Sequence, residues 1–268
     1  MCNTDVKHQE SGRVLLVEEI APQVFVMEIC SPLICNSAKP GQFVHVRVAD
    51  NPAQLLRMPF GIYDVNPQIG SIEICFQVVG DGTKQLSGLT IGDKVDVLGP
   101  IGNGWSMPAD AKHALIVAGG LGAAPMNLLA RQLAQRGTKV DIVLGGPTSS
   151  RLVCRERLVK STQSSGGTFQ VSTDDGSEGL HGFCTQISDE LLQRDDADYD
   201  YVCICGPGPM EANAVKVPMA KGIYTEASFE KLMACGVGAC LSCVIDTVDG
   251  RQRCCVDGPV FDVRKVVW

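Results

Sequence analysis

The sequence predicts a multidomain β plus α/β protein. An antiparallel β-barrel is expected over residues 1–104, a parallel α/β domain over 105–224 and a small cysteine-bearing module over 225–268. Three observations carry that prediction. Short alternating or apolar runs, punctuated by turn residues, fill the first segment, the texture of a barrel or sandwich. Apolar runs then alternate with helical patterns, which calls for a parallel sheet with helices on its faces. Finally, Cys235, Cys240 and Cys243 share one short loop, and Cys254-Cys255 follows.

In the first segment the strands are expected at Arg13–Glu18, Val24–Ile29, Phe43–Val48, Ser71–Val78 and Lys94–Leu98. The turns Lys39-Pro40-Gly41-Gln42 and Ile91-Gly92-Asp93 punctuate them. Leu56–Ile62 sets the cation Arg57 beside a strand fixed by Pro59, and reads equally as an exposed Arg on an edge strand. A helix is expected at Thr83–Leu89. The turn before it, Gly80-Asp81-Gly82-Thr83, reads either as an anion site or as a hairpin turn with Thr83 as N-cap.

Beyond Gly99–Gly104 the expected strands are His113–Ala118, Lys139–Leu144, Phe169–Ser172 and Tyr201–Cys205. The helices fall through Gln135, at Arg151–Val159, at Thr185–Leu192 and from Pro209. Two glycine-rich turns each close a strand and open a helix: Gly119-Gly120-Leu121-Gly122 and Cys205-Gly206-Pro207. Neither is a strict G-x-G-x-x-G, and each alone is also an ordinary tight turn. Ligands of open α/β sheets bind beyond the strand C-termini, so two such turns together point to a nucleotide held by backbone N–H groups.

At 268 residues, with 45% apolar content, the chain is long enough for about two domains. A net charge of −7 makes nucleic acid and anionic membrane surfaces poor partners. The N-terminal stretch is polar, without the apolar core of an export signal, and no uninterrupted apolar run is long enough to span a bilayer. With thirteen cysteines, an odd number, a disulfide framework is disfavoured and a reducing cytoplasm is expected.

Cys235, Cys240 and Cys243 form C-x4-C-x2-C, the spacing by which plant-type [2Fe-2S] centres draw three ligands from one loop, a later Cys supplying the fourth. Only Gly, Val and Ala separate the first two, which lets backbone N–H groups turn toward sulfur. A structural zinc site is the competing reading, but it usually shows two C-x2-C pairs and only one is present. The remaining cysteines, several in apolar runs, read as buried small hydrophobes.

Taken together, these residues resemble the ferredoxin–NADP reductase superfamily and, within it, the electron-transfer subunits of NAD-dependent (class 1B) dihydroorotate dehydrogenases. The landmarks are Pro40–His45, Leu55–Ile62, Gly80–Lys84, Val97–Gly104, Thr173–Ser177, Cys205–Pro207, Met233–Cys240 and Cys255–Phe261. The resemblance implies FAD on the barrel, NAD on the α/β domain and a C-terminal [2Fe-2S] module. In the family's flavin motif, R-x-x-S/T aligned on its proline, Met58 stands where the arginine would be and Gly61 where the hydroxyl residue would be. Arg57 lies one place early and is the expected substitute, with the Gly61 N–H serving near the flavin. Pro59 and Phe60 complete that stretch. Cys75, Phe76 and Gln77 fall on the strand that lies along the flavin in relatives, and Gly82 and Thr83 on its pyrophosphate turn. Gly119, Gly120, Gly122, Cys205, Gly206 and Pro207 are the expected nicotinamide-nucleotide contacts. The family's fourth ligand precedes x-Asp-Gly-Pro, which selects Cys255 over Cys254 and gives the set Cys235, Cys240, Cys243 and Cys255.

The expected function follows from those cofactors: electrons pass from an FMN-containing dihydroorotate dehydrogenase subunit, in a complex of two plus two chains, through [2Fe-2S] and FAD to NAD+ in pyrimidine synthesis. No side chains for attacking a pyrimidine stand out, so this chain is expected to be a conduit with no catalytic residue of its own. Alternatives are a subunit of another flavin and iron–sulfur complex handling ferredoxin, NADP or sulfide, and a zinc-stabilised, non-catalytic interaction module. Asp174-Asp175, at a strand end, would disfavour a 2′-phosphate. The apolar tail, Val260-Phe261 and Val266-Val267-Trp268, reads equally as a docking surface or a packed terminus.

Overall fold

The structure, a computed structural model, describes residues 6–48 and 54–268. The chain divides into two compact units. The first runs to Gly104 and also takes in Glu230–Asp246 and Gly250–Pro259; the second comprises Trp105–Phe229, Thr247–Asp249 and Val260–Trp268. The cysteine segment therefore packs within the first unit.

The first unit is a closed antiparallel barrel with the strand order β1-β2-β5-β4-β3-β6. Its elements are β1 (His8–Ala21), β2 (Val24–Cys30), α1 (Pro32–Ser37), β3 (Phe43–Val48), β4 (Met58–Asn66), β5 (Ser71–Gln77), α2 (Asp81–Ser87) and β6 (Lys94–Ile101). β1 is long enough to pair with both β2 and β6, which closes the sheet and leaves no open edge. Gly12 makes the close approach possible, because a Cβ there would lie 2.5 Å from Ile29. Period-two alternation sets Val44 and Val46 of β3 into the core, both fully buried, and turns Phe43, His45 and Arg47 to the other face.

The second unit is a seven-stranded sheet, ordered β10-β9-β8-β7-β11-β12-β15. In chain order its elements are β7 (His113–Gly119), α3 (Ala123–Gln135), β8 (Lys139–Gly146), α4 (Arg155–Ser165), β9 (Phe169–Thr173), β10 (Leu180–His181), α5 (Cys184–Gln193), β11 (Tyr201–Cys205), α6 (Gly208–Ala214), α7 (Lys216–Ala220) and β12 (Tyr224–Ser228). A hairpin, β13 (Val244–Thr247) and β14 (Gly250–Arg253), precedes β15 (Val260–Asp262), which joins the sheet antiparallel to β12. The other pairings are parallel. Every residue of β7 and β11 is buried, as expected for strands covered on both faces. From β7 the chain moves outward through β8 and β9, then returns on the other side of β7 as β11. The order thus reverses between β7 and β11, and a crevice opens beyond their C-termini.

Candidate functional site

The two glycine turns meet at that reversal. Ala118 pairs with Cys205, so both strands end level with each other. A Cβ on Gly122 would stand 2.6 Å from the Cys205 carbonyl oxygen, and one on Gly119 would stand 2.4 Å from Sδ of Met210. Gly206 meets the same Met210 sulfur at 2.8 Å and the Gly119 Cα at 3.2 Å. Backbone packs on backbone here, and only glycine permits it. Toward the mouth the space opens, since a Cβ on Gly120 or Gly208 would meet nothing within 4 Å. α3 starts just past this turn with no side-chain cap, and its Ala123 N–H is taken by the Gly120 and Leu121 carbonyls. Met210, which wedges the two turns, escaped sequence reasoning because nothing marks it among ordinary helix residues.

On the barrel, neighbours in sequence part company. Met58 lies over the first turn of α2: a Cβ on Gly82 would be 2.7 Å from its Sδ, and 3.4 Å from Nε2 of Gln54. The Thr83 hydroxyl is taken up inside that turn, accepting from the N–H of Val79 at 2.9 Å and of Gly80 at 3.2 Å and donating to the Gly80 carbonyl. Gly80 itself is open, with nothing within 4 Å of a Cβ. Arg57 reaches to the other side, where it forms an ion pair with Asp96 of β6. Arg47 holds the same carboxylate at 3.0 Å and Gln9 donates to its second oxygen at 3.0 Å. Phe76 stacks on Phe25 at 5.9 Å and meets Phe60 at 5.5 Å, which gives β4 and β5 an aromatic platform beside the buried Cys75. Gly61 pairs with Phe43, Pro59 with His45 and Gln77 with Val24 in the barrel ladders. The turn and platform suit a flavin nucleotide held by backbone and ring contacts, with an uncharged side chain at the turn.

The cysteine loop is shaped by residues in the left-handed region: Gly236 at φ +66, Gly238 at φ +82 and Leu241 at φ +57. That path aims the N–H groups of Val237 and Cys240 at Sγ of Cys235, each at 3.4 Å. Burial opposes ionisation of this thiol, but those hydrogen bonds prevail and bring its pKa down to about 6. The Cys240 thiol also hydrogen-bonds to Cys235, and that of Cys243 to Cys255. Among the described residues, no group of three or more His, Cys, Asp or Glu side chains is closed up as a metal site. Burial and the bond to Cys243 push Cys255 up to about 12, while the Gly238 N–H acts against them. Cys254 lies fully buried behind, and burial likewise pushes it up to about 12. Cys255 thus turns its thiol to Cys243, whereas Cys254 meets that residue through its backbone, donating its N–H to the Cys243 carbonyl at 2.9 Å. N–H groups turned on a sulfur in a loop of three thiols, with a fourth at Cys255, suit an iron–sulfur cluster.

This segment is anchored to the barrel from below. Asn103 donates to the carbonyls of Val256 at 3.2 Å and Asp257 at 3.0 Å, and Arg253 pairs with Asp257 at 3.1 Å. The apolar tail is mainly packed: Val260, Phe261 and Val266 are buried, and the Trp268 ring donates to the Val263 carbonyl at 2.9 Å. The described cysteines are all free thiols.

Comparison with known proteins gives the chain's family. Residues 230–267 match the family model of the iron–sulfur cluster binding domain of dihydroorotate dehydrogenase B, and residues 116–216 that of the oxidoreductase NAD-binding domain. The dihydroorotate dehydrogenase B (NAD(+)) electron transfer subunit of Desulforamulus reducens is 35% identical over 96% of this chain and 97% of its own. That of Geobacillus kaustophilus is 37% identical over 92% of this chain and 94% of its own. Among solved structures, the NADH-dependent reduced ferredoxin–NADP oxidoreductase of flavin-based electron bifurcation covers 97% of this chain and 90% of that one, at a TM-score of 0.85 and 29% identity. The cytochrome b5 reductase domain of Ulva prolifera nitrate reductase, 19% identical at a TM-score of 0.67 over 83% of this chain and 97% of that one, shares the fold. With relatives this similar along nearly their whole length, the chain belongs to the family of electron-transfer subunits of NAD-dependent dihydroorotate dehydrogenase B.

Proposed function

We propose that this chain carries electrons from an FMN-containing dihydroorotate dehydrogenase subunit, in a complex of two plus two chains, to NAD+ during pyrimidine synthesis. The observation that carries the reading is the loop in which Val237 and Cys240 turn their N–H groups on Cys235. In this reading Cys235, Cys240, Cys243 and Cys255 hold a [2Fe-2S] cluster. Met58, Phe60, Gly61 and the Cys75–Gln77 strand face FAD, and the Gly80–Thr83 turn receives its pyrophosphate. Arg57, just before β4, is committed to Asp96. Gly119, Gly120, Gly122, Cys205, Gly206 and Pro207 receive NAD. When bound, the flavin supplies the exchange between one-electron and hydride transfer. The protein's part is to orient these groups and to hold the thiolates by backbone N–H groups. The domains are read as residues 1–104, 105–224 and 225–268. No helix among the described residues is long and apolar enough to cross a membrane.

The test is an absorption spectrum of anaerobically purified protein before and after NADH. Flavin bands with a broad cluster shoulder, both bleached by NADH, support the relay; protein free of flavin or of iron removes it. A second reading, a subunit of a ferredoxin–NADP type complex, is favoured by the 0.85 TM-score likeness. Bleaching by NADPH in preference to NADH would select it.

A further inference from the structure

The face of β3 that carries Phe43, His45 and Arg47 lies under the cysteine loop. A Cβ on Gly236 would come 2.9 Å from both Cε1 and Nδ1 of His45, and 3.2 Å from Cδ1 of Ile101. Gly236 is thus required both by its φ of +66 and by the imidazole beneath it. His45 is 1% exposed, and its Nε2 is buried with no hydrogen-bond partner among the described residues. Nε2 is bonded to the same Cε1 that abuts the loop, so this nitrogen lies close to the residue next to Cys235. Burial of a polar atom without a partner carries a desolvation cost that an apolar side chain here would avoid. Burial, and then the charge of Arg57, bring the pKa of the ring down to about 4. The ring is therefore neutral at physiological pH, with one nitrogen carrying a proton to donate.

We infer that His45 is the barrel's hydrogen-bond donor to the iron–sulfur centre, its Nε2–H meeting a sulfur held by the loop and raising the centre's reduction potential. The inference rests on the reading of the four cysteines as cluster ligands. Donation to sulfur draws charge away from the iron, which favours the reduced, more negative form. A neutral donor does this without placing a counter-charge beside the loop. The barrel that carries the flavin residues then also tunes the centre that exchanges electrons with them, through a residue remote from the ligand motif in sequence.

The experiment uses full-length protein purified anaerobically, assayed for iron, acid-labile sulfide and flavin, then titrated potentiometrically with the cluster followed by EPR. His45→Phe keeps a planar ring without the N–H, and His45→Gln keeps a donor. His45→Phe is expected to retain cluster and flavin, with the reduced-to-oxidised ratio at fixed poise lowered about tenfold, about 59 mV for one electron. His45→Gln is expected to recover most of that shift. A cluster in His45→Phe that titrates at the wild-type potential overturns the inference. So does a shift that His45→Gln fails to lessen, or cluster loss in both variants, since each makes His45 a packing residue only. Wild-type protein without iron and sulfide would instead overturn the ligand reading, and this inference with it.

Discussion

Arg57 immediately precedes β4 and Met58 opens it, yet their side chains meet different partners. Met58 covers Gly82 at the turn, whereas Arg57 is bound to Asp96 beside Arg47. A shift of one residue is therefore not a simple substitution, because Arg57 is held by Asp96 and does not share the contacts of Met58. The turn that would receive the flavin's pyrophosphate therefore has a thioether where a cation would add charge. Met58→Arg should tighten FAD binding by about 1 kcal/mol, roughly fivefold, with the gain eroded by salt. Arg57→Gln should leave FAD affinity near wild type, because Asp96 keeps Arg47. Fluorescence titration of apoprotein with FAD at low and high salt measures both. Unchanged affinity in Met58→Arg, with strong loss in Arg57→Gln, would return the pyrophosphate to Arg57.

At the scale of elements, strands governed by local pattern were legible and those governed by distant partners were not. Alternation placed β2, β3, β5 and β6 within a few residues, and continuous apolar runs marked β7 and β11. α1 was not expected: its first N–H groups are met by Glu10, which accepts from Ile34 at 3.0 Å and from the Ser31 hydroxyl at 2.6 Å, and that cap comes from β1. α4 was expected from Arg151 but begins at Arg155, because Cys154 adopts a left-handed φ of +62 and breaks the run. At the candidate sites, the cysteine spacing and both glycine turns were legible, while His45 was hidden in an ordinary strand. Equally hidden was the clamp at the N-terminal end of β7, opposite the glycine turns. His113 there bonds to Asp198 and, at 3.0 Å, to Asp141, which also accepts from the Tyr199 hydroxyl at 2.6 Å and the Thr168 N–H at 2.6 Å. Burial disfavours the charged His113 ring, but the bonds to Asp141 and Asp198 outweigh it and raise its pKa. Burial would raise Asp141, but its donors hold it well below the usual carboxylate range. The His113 contribution is thus whole below about pH 6.5 and lost as pH rises through its raised value. The Asp141 contribution is whole above about pH 3.9 and lost only as pH falls through its depressed value. Thermal unfolding of the full chain should show its largest difference from His113→Gln between those limits, about 1–3 kcal/mol, and a shrinking one on the alkaline side. A difference that holds constant to pH 9 or so would mean that the ring acts by packing alone.

On the scale of the whole molecule, the order of elements separates two tasks. The glycine turns belong to the sheet unit, where topology alone creates the crevice, and the cysteine loop belongs to the barrel unit, which also carries the residues proposed to face the flavin. Loss of a cluster ligand should therefore cut the chain's exit for single electrons and spare its exchange of hydride with NADH. Cys240 is the proposed ligand to remove, because it is exposed and its replacement leaves the buried Cys243 and Cys255 in place. Cys240→Ser is expected to fold, to bind FAD and to keep flavin bleaching by NADH within about threefold of wild type, a change of under 1 kcal/mol in the barrier. Its cluster EPR signal and its delivery of electrons to the dihydroorotate-oxidising subunit should be lost together. Anaerobic stopped-flow at the flavin bands, with EPR on parallel samples, reads the two halves separately. If flavin reduction by NADH fell with the cluster signal in a variant that still held FAD, the cysteine loop would be shaping the flavin site itself. The relay would then be one cooperative centre, and the barrel's contact at Gly236 would be the first place to look for the coupling.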